Sequence, residues 1–103
     1  MAIDPLQITK LDSLLHQQSR LLIMTMLFPV ESADFLYLLQ ETALTKGNLS
    51  THLAKLEKAD YLSVEKTYRG KTPLTIYALT TSGRDAFATY RRQLREIADA
   101  LPE

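Results

Sequence analysis

The stretch from Leu44 to Glu57 limits the possible folds of this chain more than any other segment. Leu49, Leu53 and Leu56 recur there at helical spacing, so they form one apolar stripe. The opposite side has almost no apolar bulk and carries cations and short hydrogen-bonding groups: Lys46, Asn48, Ser50, Thr51, Lys55 and Lys58. The pattern predicts a helix over about 46–59, capped by the Thr45 hydroxyl and buried along its leucine stripe.

The polar side of this helix suits a DNA major groove, which admits a helix and is read through hydrogen bonds to base edges. Three side chains in its first turns are predicted to contact bases: Asn48, Ser50 and Thr51. Three others are predicted to contact phosphates, together with the amides at the helix start: Thr45, Lys46 and Lys55. The alternative is a plain core helix with a solvated polar face, although such faces are more often rich in Glu and Lys pairs.

The charge of the chain is balanced overall but unevenly distributed. Its 12 basic and 12 acidic residues give a net charge of zero, which by itself argues against a nucleic-acid partner. Residues 1–44 hold two basic and five acidic residues, whereas residues 45–72 hold six basic and three acidic ones. The positive charge therefore coincides with the predicted reading helix and the segment that follows it.

After Tyr61 the hydrophobic period changes from helical to alternating, which indicates two strands over about 62–80. The segment between them contains Gly70, which favours a turn, and Pro73, which suits the start of an exposed strand. This predicts a β-hairpin with a basic tip. Four of its side chains are predicted to touch DNA backbone or the minor groove, unless the tip is only a solvated turn: Tyr68, Arg69, Lys71 and Thr72.

The remaining segments predict helices on both sides of this unit. Residues 1–8 lack periodicity and are assigned to a loose arm, followed by a short helix over 9–16 and another capped by Ser19 and ended by Pro29. A helix over about 34–42, capped by Ser32 or Asp34, then precedes the reading helix. The predicted fold is a single α+β, mainly α, winged helix-turn-helix domain over 1–103, with the helix-turn-helix at 34–59.

The last helix, over 81–101, begins at a Thr80 or Thr81 cap and has an apolar face of about five turns. A small domain has little core to cover such a face, so we expect part of it to be exposed in a single chain. Two copies packed about a two-fold axis would bury it, although packing on its own domain would explain its first part. The predicted dimerisation residues are Leu11, Leu14, Leu15, Tyr90, Leu94, Ile97 and Leu101.

Composition narrows the classes of function. The chain has no cysteine, which excludes disulfides and thiolate metal sites, and its two histidines, His16 and His52, are too few for a zinc site without carboxylates nearby. No nucleophile motif, phosphate loop or carboxylate pair indicates an enzyme, and nothing calls for a cofactor or a metal. With no signal peptide and no apolar run long enough to span a bilayer, the expected location is the cytoplasm, without a membrane partner.

His52, at the border of the leucine stripe, and Arg20 have two interpretations each. His52 is more often a packed, locally hydrogen-bonded side chain, and a phosphate contact is the less common alternative. Arg20, near the start of a helix, is usually solvated or ion-paired, and the alternative is again a DNA phosphate.

Four segments in this order resemble the compact winged-helix domains of the MarR and ArsR transcriptional regulators. They are Leu11–Leu21, Leu44–Leu53, Leu56–Leu62 and Tyr77–Arg84. The resemblance implies a homodimeric, repressor-type regulator that binds a pseudo-palindromic operator, with 45–55 as the reading helix and 68–72 as the wing. Asp60 departs from the glycine common at the helix exit, so the turn there is expected to be less sharp.

The absence of cysteine rules out thiolate metal sensing of the ArsR type. Effector pockets of the MarR type lie between dimerisation helices that are longer than a chain of 103 residues provides. Whether this chain binds a small-molecule effector is therefore left open. The predicted function is sequence-specific binding of double-stranded DNA in transcriptional regulation. The alternative, which the zero net charge leaves open, is a winged-helix module that binds protein instead of DNA.

Overall fold

The computed structural model describes residues 4–102 and has the predicted fold class, mainly helical with an antiparallel sheet and a long last helix. Its elements are α1 (Leu6–Thr9), α2 (Gln18–Leu27), β1 (Ala33–Asp34), α3 (Phe35–Thr42), α4 (Lys46–Lys58), β2 (Leu62–Arg69), β3 (Thr72–Leu79) and α5 (Thr81–Ala100). The strands form one sheet in the order β1-β3-β2. The two-residue strand β1 was not predicted.

Side-chain caps determine where four of the helices begin. The Asp34 carboxylate accepts a hydrogen bond from the Tyr37 amide at 2.8 Å and starts α3. The Thr45 hydroxyl likewise accepts from the Asn48 amide at 3.1 Å at the start of α4, as predicted. Thr80 caps α5. The predicted Ser19 cap is wrong, because α2 begins earlier, at Gln18, and is capped by the Gln17 side chain.

The predicted helix over 9–16 is also wrong. The Asp12 carboxylate accepts hydrogen bonds from the Leu14 and Leu15 amides at 2.9 and 3.3 Å, which favours a turn over a helix. The short helix lies earlier, at Leu6–Thr9, so residues 6–8 do not belong to a loose arm; residues 1–3 lie outside the described part.

One hydrophobic core lies between the helices and the sheet. All three stripe leucines of α4 are at most 2% exposed, as predicted. Leu38 of α3 and Leu27 of α2 are fully buried in the same cluster. Since burial of an aliphatic side chain contributes about 1.5–3 kcal/mol, this stripe is the main force that holds α4 against the domain.

The turn after α4 is sharper than expected. Asp60 has φ of 64°, in the left-handed region that glycine usually occupies. The turn is therefore as tight as one that contains glycine, although this chain has aspartate there. Its carbonyl accepts a hydrogen bond from the Thr80 hydroxyl at 2.5 Å, which helps hold this conformation. Next to it, a Cβ on Gly83 would lie 2.2 Å from the Tyr61 carbonyl oxygen, so only glycine allows α5 to pack this closely.

The 11–17 segment joins this turn to α5 through side-chain hydrogen bonds. The Tyr61 hydroxyl donates to the Asp12 carboxylate, and burial together with that contact raises the pKa of Tyr61 to about 12. On the other side, His16 Nδ1 lies 2.7 Å from the Tyr90 hydroxyl of α5. The exit of α4 and the middle of α5 are therefore bonded to one segment.

The expectation that part of the apolar face of α5 is exposed holds only at its end, since packing on the domain extends well beyond the first part of the helix. Four of the residues assigned to dimerisation are buried within the single chain: Leu11, Leu15, Tyr90 and Ile97. Leu14 and Leu94 are half-buried against the same core, and of the seven only Leu101, 52% exposed, lies open to solvent. The physical reason is the cover from the N-terminal part, because α1 packs against α5 and His16 contacts Tyr90.

Candidate nucleic-acid interface

The polar side of α4 is open to solvent along its whole length. The predicted contact residues on this helix are all exposed: Thr45, Lys46, Asn48, Ser50, Thr51 and Lys55. The leucine stripe on the other side is buried, so the helix cannot rotate to hide this face without exposing its core contacts. The structure therefore leaves all six residues exposed on a helix whose orientation is fixed by its core contacts.

The first turn of α4 has features suited to contact with nucleic acid. Thr45 accepts a hydrogen bond from one amide of this turn, and the other amides at the helix start have no intrahelical acceptor, as at any helix N-terminus. Gly47 has open space where a Cβ would stand, so the backbone there is accessible. The Thr51 hydroxyl donates to the Gly47 carbonyl at 2.9 Å, which leaves only its acceptor lone pairs for a base. Asn48 offers both a donor and an acceptor, which is the combination that reads adenine.

A second polar contact lies on the α2 side of the reading helix. The Arg20 guanidinium donates from Nε to the Leu14 carbonyl at 2.6 Å and lies 3.1 Å from His52 Nδ1. Burial, then the charges of Arg20 and Lys55, lower the pKa of His52. The sequence favours packing and local hydrogen bonding for His52, whereas the structure gives it a partner that is distant in the chain. No pattern in the sequence could pair it with Arg20, 32 residues away.

The hairpin projects beside this helix as the predicted wing. Its strands pair from Leu62–Leu79 to Arg69–Thr72, so they run further toward the tip than expected and leave a two-residue turn at Gly70 and Lys71. Gly70 has φ of 63°, which a two-residue hairpin turn requires. The four predicted wing residues are all exposed: Tyr68, Arg69, Lys71 and Thr72.

Asp34 connects the wing to the helix-turn-helix. Its carboxylate caps α3, and its other oxygen lies 3.9 Å from the Arg69 guanidinium, whose side chain is 75% exposed. Backbone pairing of Asp34 with Ile76 places it in β1, beside the central strand of the sheet. Sequence reasoning identified Asp34 as a possible cap only, since the contact with Arg69 depends on the three-dimensional position of β1.

Two other kinds of site were sought across residues 4–102. No group of three His, Asp or Glu side chains lies close enough together there to hold a metal ion. Among the described helices, none combines the length and the apolar character that crossing a membrane requires.

Comparison with known proteins identifies this architecture. Residues 19–98 match the family described as the winged helix DNA-binding domain. The chain belongs to this family. An uncharacterized protein of Methanocaldococcus jannaschii is 33% identical over 79 residues, which cover 77% of this chain and 86% of that protein.

Solved winged-helix structures agree. A transcriptional regulator homologue of Pyrococcus horikoshii OT3 is 28% identical, with a TM-score of 0.86, over 94% of this chain and 95% of that one. A MarR-family putative regulator of Porphyromonas gingivalis W83 has a TM-score of 0.70 at 14% identity, over 98% of each chain. A structure of reduced AbfR bound to DNA has a TM-score of 0.66 at 17% identity, over 95% of this chain and 64% of that one. The last two likenesses concern the fold alone, and the predicted resemblance to MarR-type winged-helix domains is confirmed.

Proposed function

We propose that this winged-helix protein is a sequence-specific, double-stranded DNA-binding transcriptional regulator of the repressor type, without catalytic activity. The observation that carries the proposal is the solvent-facing polar side of α4, whose opposite side is fixed in the core by Leu49, Leu53 and Leu56. Beside it stands a wing with two exposed cations, Arg69 and Lys71. The AbfR complex supports DNA as the partner, because that protein carries the same fold.

In the proposed complex the first two turns of α4 enter the major groove. Asn48, Ser50 and Thr51 lie on the exposed side of those turns and contact base edges. The sequence-independent part of the affinity comes from groups that bind phosphates: the amides at the start of α4, Lys46, Lys55, Arg69 and Lys71.

We further propose a homodimer that binds a pseudo-palindromic operator with half-sites about 34 Å apart. Because most of the α5 face is buried within the chain, the surface left for a second copy is smaller than the sequence suggests. It comprises the exposed apolar side chains of α1, Leu6 and Ile8, and Leu101 after α5, which are 61%, 53% and 52% exposed. Light scattering during gel filtration tests this, and a Leu101→Lys protein that stays as large as the wild type contradicts it.

DNA binding itself is tested by fluorescence anisotropy with a random duplex at low salt. Non-specific binders reach dissociation constants of about 10⁻⁴–10⁻⁶ M even at physiological salt, so micromolar binding is expected here. The Lys46→Ala, Lys55→Ala double variant should lower the salt slope by about 2, because two phosphate contacts are lost. Absence of binding would leave the protein-binding alternative.

The matched control removes two exposed cations from α5, Arg92 and Arg95, which lie outside α4 and the wing. This Arg92→Ala, Arg95→Ala variant should keep the salt slope of the wild type. An equal loss in both double variants would contradict the assignment of the DNA-binding surface to α4.

A further inference from the structure

The contact between Arg20 and His52 determines the protonation state of the histidine. A guanidinium has only donors, so the nitrogen that faces it, His52 Nδ1 at 3.1 Å, must be an acceptor. The ring is therefore neutral in the free protein, with its proton on Nε2. Arg20 is held in place by its second bond, from Nε to the Leu14 carbonyl at 2.6 Å. The histidine ring is thus oriented by α2 and carries one remaining donor.

His52 lies in line with the proposed DNA contacts of α4. Asn48, His52 and Lys55 are spaced by four and three residues, so their side chains follow one another along the helix surface. Arg20 adds a cation from the first turn of α2. In helix-turn-helix complexes the start of the reading helix contacts base edges in the major groove, so cations and donors that flank this helix face the phosphates along the groove. The Arg20–His52–Lys55 group is therefore placed for a phosphate at the groove edge.

The charged groups that act on His52 are cations. Arg20 from α2 and Lys55 from α4 both lower its pKa, after burial. Glu57 acts on the other side of α4, where it raises the pKa of Tyr77 after the larger effect of burial.

The neighbouring elements add no free acidic partner at this point. From the 11–17 segment, Asp12 bonds Tyr61 and two amides, and His16 bonds Tyr90. Strand β2, which also packs on α4, carries the exposed pair Glu65 and Lys66. Because the charges that act on His52 are those of two cations, protonation of its ring requires an anion nearby.

We propose that Arg20, His52 and Lys55 form a binding site for one DNA backbone phosphate, and that His52 takes up a proton when the phosphate binds. This inference rests on the proposed DNA-binding function and adds residues and a linkage that this function does not include. Protonation of Nδ1 breaks the hydrogen bond that this nitrogen accepts from Arg20, so the guanidinium turns from the ring to the phosphate. The phosphate oxygens offset the charges of Arg20 and Lys55 and accept from the imidazolium, so the charged ring is favoured in the complex. Uptake of a proton on binding makes the affinity rise as the pH falls.

The experiment measures the affinity of the full chain for one duplex at fixed ionic strength, at about pH 5.5 and pH 7.5, on either side of the ordinary histidine pKa. Each unit by which the phosphate raises the pKa of His52 contributes up to about tenfold. We expect binding about three- to tenfold tighter at the lower pH. His52→Gln should lose this gain. His16→Gln, the matched control for the other histidine, should keep it.

A second measurement does not depend on a variant. Calorimetric titration of the wild-type protein in buffers with different ionisation enthalpies, near pH 6.5, should show net uptake of up to about one proton per site. An affinity that is the same at both pH values, a His52→Gln protein that keeps the gain, or zero proton uptake would each overturn the inference. These outcomes presuppose binding, so they differ from an absence of DNA binding at every pH, which overturns the proposed function and this inference together.

Discussion

The reading helix and the wing carry the two halves of the proposed interface, but the fold holds them differently. Helix α4 is fixed by three buried leucines, a Thr45 cap and, through His52, the side chain of Arg20. The wing tip beyond Thr67 has no buried or half-buried residue through Pro73, and its strand pairing is supplemented by the long Arg69–Asp34 contact. The difference suggests that the helix is preorganised to recognise bases, whereas the wing adjusts to the backbone.

The largest expected effect of this difference is on stability. Leu53→Ala removes a side chain that is 2% exposed and leaves a cavity under α4, so the free energy of unfolding should fall by about 2–5 kcal/mol. Tyr68→Ala, in the wing, removes a larger side chain that is 69% exposed and should change stability by less than about 0.5 kcal/mol. Urea denaturation measures both. Equal losses would show that the wing is as firmly held as the helix.

The next effect separates sequence recognition from affinity. Asn48→Ala should cost about 1–3 kcal/mol of discrimination at one base pair, because a bidentate contact is lost. Arg69→Ala with Lys71→Ala should instead weaken binding to all sequences alike and lower the salt slope by about 2. Competition titrations with single-base operator variants distinguish them. A changed base preference in the wing variant, or an unchanged one in Asn48→Ala, would reverse the roles assigned to the two regions.

A smaller effect concerns the start of α4. Thr45→Ala removes the hydroxyl that accepts from the Asn48 amide at 3.1 Å, so stability should fall by about 1 kcal/mol. Thr45→Ser keeps the hydroxyl and is the control. Thermal unfolding followed by circular dichroism gives the difference. If Thr45→Ala matches Thr45→Ser, the cap adds nothing and the leucine stripe alone positions the first turn.

The same contrast explains which features could be read from the sequence. Local patterns predicted α3, the turn, α4 and the hairpin, because periodicity and caps act between residues close in the chain. Two misses are local, because the Asp12 and Gln17 side chains accept from nearby amides, but several others depend on distant residues. Asp12 bonds Tyr61, 49 residues away, and β1 exists only because Ala33 and Asp34 pair with β3. The cover over the α5 face also comes from the opposite end of the chain, so periodicity alone overstated its exposure.

Asp34→Asn should have the smallest effect and tests whether the wing is restrained before it meets DNA. Asparagine is as good an N-cap as aspartate, so α3 keeps its start and stability should change by less than about 0.5 kcal/mol. The substitution removes the carboxylate 3.9 Å from Arg69, which frees that guanidinium for a phosphate and removes a negative charge from the interface. Surface charge interactions are worth up to about 1 kcal/mol, so binding should tighten by up to about fivefold.

Glu41→Gln is the matched control, because it removes an exposed carboxylate near the other end of α3 and should tighten binding less. Anisotropy titrations at low salt measure both variants. Weaker binding by Asp34→Asn would mean that the carboxylate holds Arg69 in the position that DNA requires. The wing would then be preorganised like the helix, and the contrast between the two regions would be confined to their stability.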